Sequence, residues 1–138
     1  LGGVTIPFHL GLLGHSDADA LAHAAMDAML GACALGDIGK LFPDTDPQYA
    51  GICSLTLLTQ VLRRTLAQGY ALSNLDATIV AQQPKLAPHI PAMRAKLAAA
   101  MACGQERISI KATTPEGCGP EGALESITVR CVCSMEAI

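Results

Sequence analysis

Aromatic side chains are nearly missing from this sequence: 138 residues contain no Trp, two Tyr and two Phe. A chain that is 51% hydrophobic with so few rings must fill its core with Ala, Leu, Ile, Val and Met, and such small side chains favour close packing of elements and of subunits. Basic charge is also scarce. The nine Lys and Arg are scattered without a run and without interleaved aromatics, against twelve Asp and Glu, which excludes the electrostatic footprint of a nucleic-acid partner. No apolar run reaches the roughly 20 residues that cross a bilayer, and no signal-peptide pattern opens the chain, so no membrane partner is expected. The six cysteines, Cys33, Cys53, Cys103, Cys118, Cys131 and Cys133, form no CxxC pair and mostly sit in apolar segments. They read as reduced thiols rather than as zinc ligands or a disulfide framework.

The length suits one domain over residues 1–138 and is too short for two. The chain starts at Leu1 and goes at once into a strand-like "GGVTIP", so an N-terminally incomplete domain is expected. Ser16 or Asp17 is a good N-cap for a helix running to about Leu35 and stopping at Gly36. The Gly, Pro and Asp content of residues 36–51 predicts a loop. Leu55, Leu58, Leu62 and Leu66 mark a second helix from about Ser54 to Gly69, and a third is expected over Pro91–Met101. "LDATIVAQ" (75–82), "RISIKAT" (107–113) and "SITVRCVCSM" (126–135) read as strands. With "GGVTIP" they predict an α+β fold, an α/β sandwich with helices on one face of a mixed four-stranded sheet. On the last strand Ser126, Thr128, Arg130 and Ser134 share the outer face with Val132, a surface suited to packing in an oligomer.

Four groups of residues can carry chemistry. Asp19, His23 and Asp27 follow one another at i, i+4 along one helix stripe. They suit metal ligation, or orientation of His23 by the two carboxylates, or simply a solvated face. His15 and Ser16 precede the helix where free amides favour an anion, although a capping role accounts for them too. Asp37, Asp44 and Asp46 lie together on the loop, as hydroxyl acceptors or as Asx-turn residues. "KATTPEG" (111–117) ends a strand, where ligands collect in α/β sheets; Thr hydroxyls there can meet phosphate, and Glu116 a metal ion or a base edge.

The order of these motifs resembles one family. "HSDADALAHAAMDAMLGACALGDIGKLFPDTDP" (15–47), "AQQPKLAPHIPAMR" (81–94) and "KATTPEG" (111–117) stand in the register of the 2-C-methyl-D-erythritol 2,4-cyclodiphosphate synthases of non-mevalonate isoprenoid biosynthesis. The resemblance implies a homotrimer that packs its sheets around a central channel, with active sites between subunits. It implies a phosphorus–oxygen lyase that closes 4-diphosphocytidyl-2-C-methyl-D-erythritol 2-phosphate into the 2,4-cyclodiphosphate and releases CMP. By matching positions, His23 is similar to a ligand of Zn2+ or a like divalent ion. His15 and Thr114 match the two transition-state stabilisers, and Ser16 lies beside His15 on the phosphate. Asp37, Ile38 and Gly39, with Phe42, Pro43, Asp44, Thr45 and Asp46, match the methylerythritol loop. Ala81, Gln82, Gln83, Pro84, Lys85, Leu86 and Ala87 match the cytidine pocket. Thr113, Thr114 and Pro115 fall on the segment at the nucleotide phosphates, and Glu116 on the carboxylate that holds Mg2+ or Mn2+.

Two departures accompany the match. The family's other zinc ligands, in a "DxH" motif, belong upstream of Leu1, and Pro120 and Ala123 stand where an aromatic and an Arg are usual. They keep two alternatives in view, a degenerate nucleotide-binding member without catalysis and a trimeric scaffold or small-molecule sensor sharing the fold. The resemblance further implies a bacterial cytoplasm or a plastid as the setting, and allows a fusion to the preceding cytidylyltransferase.

Overall fold

A computed structural model describes residues 1–138. Five helices, α1 (Ala20–Ala32), α2 (Ile38–Leu41), α3 (Ser54–Ala67), α4 (Ile90–Ala100) and α5 (Gly119–Gly122), combine with strands β1 (Tyr70–Val80), β2 (Ile108–Thr113) and β3 (Thr128–Ala137). The sheet is mixed, in the order β2-β1-β3. β1 runs parallel to β2, from Leu75 opposite Ile108 to Val80 opposite Thr113, and antiparallel to β3, from Tyr70 opposite Ala137 to Val80 opposite Thr128. α1, α3 and α4 cover one face of it.

The sheet has three strands, not four. "GGVTIP" is no strand because Gly2 (φ +59°) and Gly3 (φ +75°) turn the chain in the left-handed region, and their amides donate to the Asp19 carboxylate rather than to a ladder, at 2.8 Å each. The first helix is also shorter than its alanine content suggests. Asp19 caps it by accepting from Ala22 N–H, while Ala18 at φ +57° keeps Asp17 outside, and Ala34 at φ +55° ends it before Leu35. β1 begins five residues earlier than its apolar alternation showed, since Gly69 (φ +87°) turns α3 directly into pairing with the end of β3.

As the composition requires, the core is aliphatic. Leu21, Met26, Met29 and Leu30 of α1, Leu58 and Val61 of α3, Leu75 and Ile79 of β1, and Met93 and Leu97 of α4 are all inaccessible to solvent. Each such side chain contributes about 1.5–3 kcal/mol by leaving water. Val129, Cys131, Cys133 and Met135 pack on this core as the inner face of β3. The outer face carries Asp76, Thr78, Lys111, Arg130 and Val132, with Lys111 Nζ donating to Asp76 Oδ2 at 2.9 Å and Val132 69% exposed. No helix is long and apolar enough to cross a membrane.

Candidate functional site

The first cluster forms where α1 meets the loop before α3. His15 is held by its backbone, whose carbonyl accepts from Gly51 N–H at 2.8 Å, and by its ring, whose Nε2 lies 2.8 Å from the Asp46 carbonyl oxygen. A carbonyl only accepts, so Nε2 carries the proton and Nδ1 is the nitrogen left for a ligand.

His23 is oriented by a relay. Ser54, wholly buried at the start of α3, donates its hydroxyl proton to Asp17 Oδ1 at 2.5 Å, and its amide donates to Asp17 Oδ2 at 2.9 Å. With that proton spent, Ser54 Oγ must accept from His23 Nε2 at 2.9 Å. Ser16 Oγ is a second partner of the same nitrogen at 3.2 Å. Neutral His23 is thereby fixed with its lone pair on Nδ1. Burial pushes the Asp17 carboxyl up, but the hydrogen bonds from the Ser54 hydroxyl and amide and the Asp19 amide, with the nearby His23 ring, outweigh it and hold Asp17 below its ordinary value.

Asp19 and Asp27 do not orient His23, contrary to the expectation from their spacing. The Asp19 carboxylate is spent on the Gly2, Gly3 and Ala22 amides, and Asp27 Oδ1 accepts from Ile38 N–H at 2.9 Å. Asp19, at the start of α1, folds back onto free amides, and Asp27, in the middle of α1, reaches across to the first amide of α2 rather than along its own helix. The residues that do the orienting, Asp17 and Ser54, are 37 apart in sequence, and the sequence marked them only as candidate helix starts.

His15, Ser16, His23, Ile38, Gly39, Phe42 and Asp44 line one cavity of about 280 Å³. Phe42 meets Tyr49 edge-to-face, with centroids 5.3 Å apart, and both rings line the same cavity. Asp37 and Asp46 are engaged as local caps instead: Asp37 Oδ1 accepts from Lys40 N–H at 3.0 Å, and Asp46 takes both the amide and the side-chain nitrogen of Gln48. Those Gln48 bonds hold the Asp46 carboxyl below its ordinary value.

The second cluster stands at the C-terminal ends of β1 and β2. Ala81 N–H donates to the Thr113 carbonyl at 3.0 Å, Gly117 N–H to Gln82 Oε1 at 2.8 Å, and Thr114 Oγ1 to Glu116 Oε1 at 3.3 Å. Thr113, Thr114 and Glu116 are exposed, whereas the Ala81 and Leu86 side chains are buried. Gln83, Pro84 and Leu86 line a larger, mainly apolar cavity of about 490 Å³ together with much of the N-terminal segment, including residues 3–6 and 10–12, and it contains none of His15, His23, Thr114 and Glu116. No residue of 81–87 or 113–116 reaches the cavity of the first cluster.

A metal has little to hold it within one chain. No three His, Cys, Asp or Glu side chains gather as a site; His23 offers one imidazole nitrogen and Glu116 one carboxylate. A lone imidazole falls short of the three or four protein ligands of a zinc site. A lone carboxylate suits Mg2+, which takes its remaining ligands from phosphates and water.

Residues 1–136 match the YgbB family. A 2-C-methyl-D-erythritol 2,4-cyclodiphosphate synthase of Lachnospira eligens is 52% identical over 138 residues, covering all of this chain and 75% of that protein. One from Geotalea uraniireducens is 57% identical over 136 residues, covering 99% of this chain and 87% of the other. Among solved structures, a 2C-methyl-D-erythritol-2,4-cyclodiphosphate synthase in its CDP-bound form superposes with TM-score 0.88 at 38% identity, over 98% of this chain and 87% of that one. The bifunctional IspDF of Campylobacter jejuni gives TM-score 0.95 at 39% identity over 99% of this chain, which spans 37% of the bifunctional one. By fold, by motif order and by these identities, the chain belongs to the YgbB family of 2-C-methyl-D-erythritol 2,4-cyclodiphosphate synthases.

Proposed function

We propose that the chain binds a cytidine diphosphate substrate, 4-diphosphocytidyl-2-C-methyl-D-erythritol 2-phosphate, and closes it to the 2,4-cyclodiphosphate in sites shared between the chains of a homotrimer. A 2-phosphate oxygen attacks the β-phosphorus, the bond from that phosphorus to the α-phosphate oxygen breaks, and CMP leaves with the electron pair. The observation that carries this reading is the cavity that gathers His15, Ser16, His23 and Asp44. It places donors for phosphate oxygens beside a carboxylate able to accept from sugar-alcohol hydroxyls.

The protein's task in such a displacement is to align the phosphates and neutralise developing charge. His15, its ring pinned through Nε2, turns Nδ1 toward the reacting phosphates and donates there when protonated. Ser16 Oγ supplies a second donor. Thr114 supplies a third from the strand-end cluster, and Glu116 holds a Mg2+ or Mn2+ ion, which neutralises phosphate charge when bound. His23 is proposed as one ligand of a Zn2+-like ion through Nδ1; because residues 1–138 gather no further ligands beside it, no step is assigned to it. Gly39 and Asp44 meet the methylerythritol, and the backbone of Ala81–Ala87 the cytidine; that relatives bind CDP supports a cytidine nucleotide as ligand.

The separation of the two clusters, which occupy no common cavity in one chain, supports sites shared between subunits. The outer sheet face, with Val132 exposed among polar residues, suits subunit packing. Six free thiols and the bacterial relatives fit a reducing bacterial cytoplasm. The test is direct: incubation with the diphosphocytidyl substrate, zinc and magnesium should release CMP and the cyclic diphosphate in equal amounts, followed by phosphorus NMR. Substrate that stays intact while CDP still binds would overturn catalysis and leave a nucleotide-binding protein.

A further inference from the structure

β1 and β2 run parallel and end side by side, with Val80 opposite Thr113, and the last rung between them is Ala81 N–H to the Thr113 carbonyl. Beyond that rung the chains part, one into residues 82–87 and the other into the turn 114–118. One hydrogen bond crosses the gap, from Gly117 N–H to Gln82 Oε1 at 2.8 Å. The turn's remaining bonds are local. Thr114 Oγ1 donates to Glu116 Oε1, Cys118 N–H to the Pro115 carbonyl, and the Cys118 thiol to the Glu116 carbonyl at 3.7 Å.

This turn needs a hold from outside. Glu116, which has a Cβ, sits at φ +56° and Gly117 at φ +76°, a pair of left-handed residues that local contacts favour weakly. On one side Gly122 packs so closely that a Cβ there would collide with the Gly117 backbone. On the other, the Gly117 N–H belongs to the same peptide plane as the Glu116 carbonyl. Whatever grips that N–H fixes ψ of Glu116, and with it the direction from which the carboxylate and its Thr114 partner start.

We infer that Gln82 is a positioning residue: its side-chain oxygen holds the Glu116–Gly117 peptide, locking the cytidine-side segment and the phosphate-side turn into one unit. The inference rests on the proposed cyclisation, in which residues 81–87 meet the base and Thr114 and Glu116 the phosphates. Its consequence is a division of labour. A nucleotide seated on one segment is aligned with groups on the other, so losing the bond should misplace the reacting phosphates more than it weakens nucleotide binding.

Two variants of similar length test this. Gln82→Met removes the strong acceptor, and Gln82→Glu keeps an oxygen at the same reach. For each, kcat and KM are measured with the diphosphocytidyl substrate, CMP affinity by calorimetry, and Gly117 amide exchange by NMR. Gln82→Met should speed Gly117 exchange about tenfold and lower kcat about tenfold, with KM and CMP affinity within about threefold. Gln82→Glu should return Gly117 exchange to the wild-type rate and kcat to within about threefold. The inference is overturned if Gln82→Met keeps wild-type kcat, if only KM changes, if Gly117 exchange does not move, or if Gln82→Glu protects Gly117 without restoring kcat. Unaltered enzyme that releases no CMP fails differently, sinking the cyclisation reading and this inference with it.

Discussion

Replacing Asp19 by Ala removes one carboxylate that serves two parts of the chain. Its Oδ1 accepts from Gly2 N–H at 2.8 Å and Ala22 N–H at 3.0 Å, its Oδ2 accepts from Gly3 N–H at 2.8 Å, and the residue is 4% exposed. Loss of the helix cap costs about 1 kcal/mol. The Gly2 and Gly3 amides then stay in place without acceptors and cost about 1–2 kcal/mol each, Gly3 at the lower end because water can reach it. Together the expected loss is about 3–4 kcal/mol, a large fraction of the roughly 5–15 kcal/mol that holds a domain folded. Asp19→Asn should fall between: one oxygen still caps the helix, but its NH2 group faces a glycine amide, donor against donor. With no Trp in the chain, urea unfolding is best followed by circular dichroism at fixed protein concentration, since subunit association shifts apparent stability. A loss below about 1 kcal/mol for Asp19→Ala would refute the reasoning, because it would mean that the two glycine amides find other partners at no cost.

Other predictions follow from the same geometry. Ser54→Ala removes the group that spends its proton on Asp17 and accepts from His23, so turnover should fall about 10–100-fold, as for other groups that orient a ligand-bearing His; kcat within twofold of wild type would contradict the relay. The Asp17 carboxyl is held below its ordinary 3.8, so its stabilising contribution is complete above about pH 4 and is lost as pH falls through the lower, folded value. Acid titrations should therefore show a wild-type loss below pH 4 that Asp17→Asn lacks, and parallel curves would count against it. Among the thiols, Cys53 and Cys118 are exposed while burial, with smaller effects of Cys133 and Asp76, pushes Cys131 up to about 12. A chromogenic disulfide at pH 8 should react with Cys53 and Cys118 and spare Cys131 until the protein unfolds; rapid labelling of Cys131 would refute this.

Much of the fold was legible because burial imposes a period. The second helix showed its stripe at Leu55, Leu58, Leu62 and Leu66, and α3 spans Ser54–Ala67 as that stripe requires. With Ser126, Thr128, Arg130, Val132 and Ser134 expected on the outer face of the last strand, it is the alternate residues Val129, Cys131, Cys133 and Met135 that pack on the core. What periodicity could not show was competition for backbone amides. "GGVTIP" has the β-branched residues of a strand, yet its two glycine amides are taken by a carboxylate 16 and 17 residues ahead. The same limit hid the partners of His23. Spacing nominated Asp19 and Asp27, its neighbours along the helix, whereas Ser54 lies 31 residues away and meets it only through packing of α1 against α3. His15, Ser16, His23, Gly39 and Asp44 line one cavity, whereas Asp37 and Asp46 serve as local caps, a role their residue type equally allowed.

The pentapeptide His15 to Asp19 shows how one short stretch serves stability and chemistry at once. Asp17 and Asp19 are two apart and both lie near the start of α1, where two identical side chains would ordinarily compete for the same amides. Ala18 at φ +57° turns the chain between them. Asp17 then faces α3 and fixes the proton on His23, while Asp19 caps α1 and binds the N-terminal glycines. Gly14 is drawn into the same turn, since a Cβ there would stand 2.9 Å from that of Ala18, so the approach to His15 also depends on the bend. A left-handed alanine costs roughly 1–2 kcal/mol. Each charge-assisted bond to the two carboxylates contributes on the order of 1.5–3 kcal/mol, so the strain is outweighed several times over. The bend at Ala18 is therefore what allows one aspartate to be spent on folding and the other on the site.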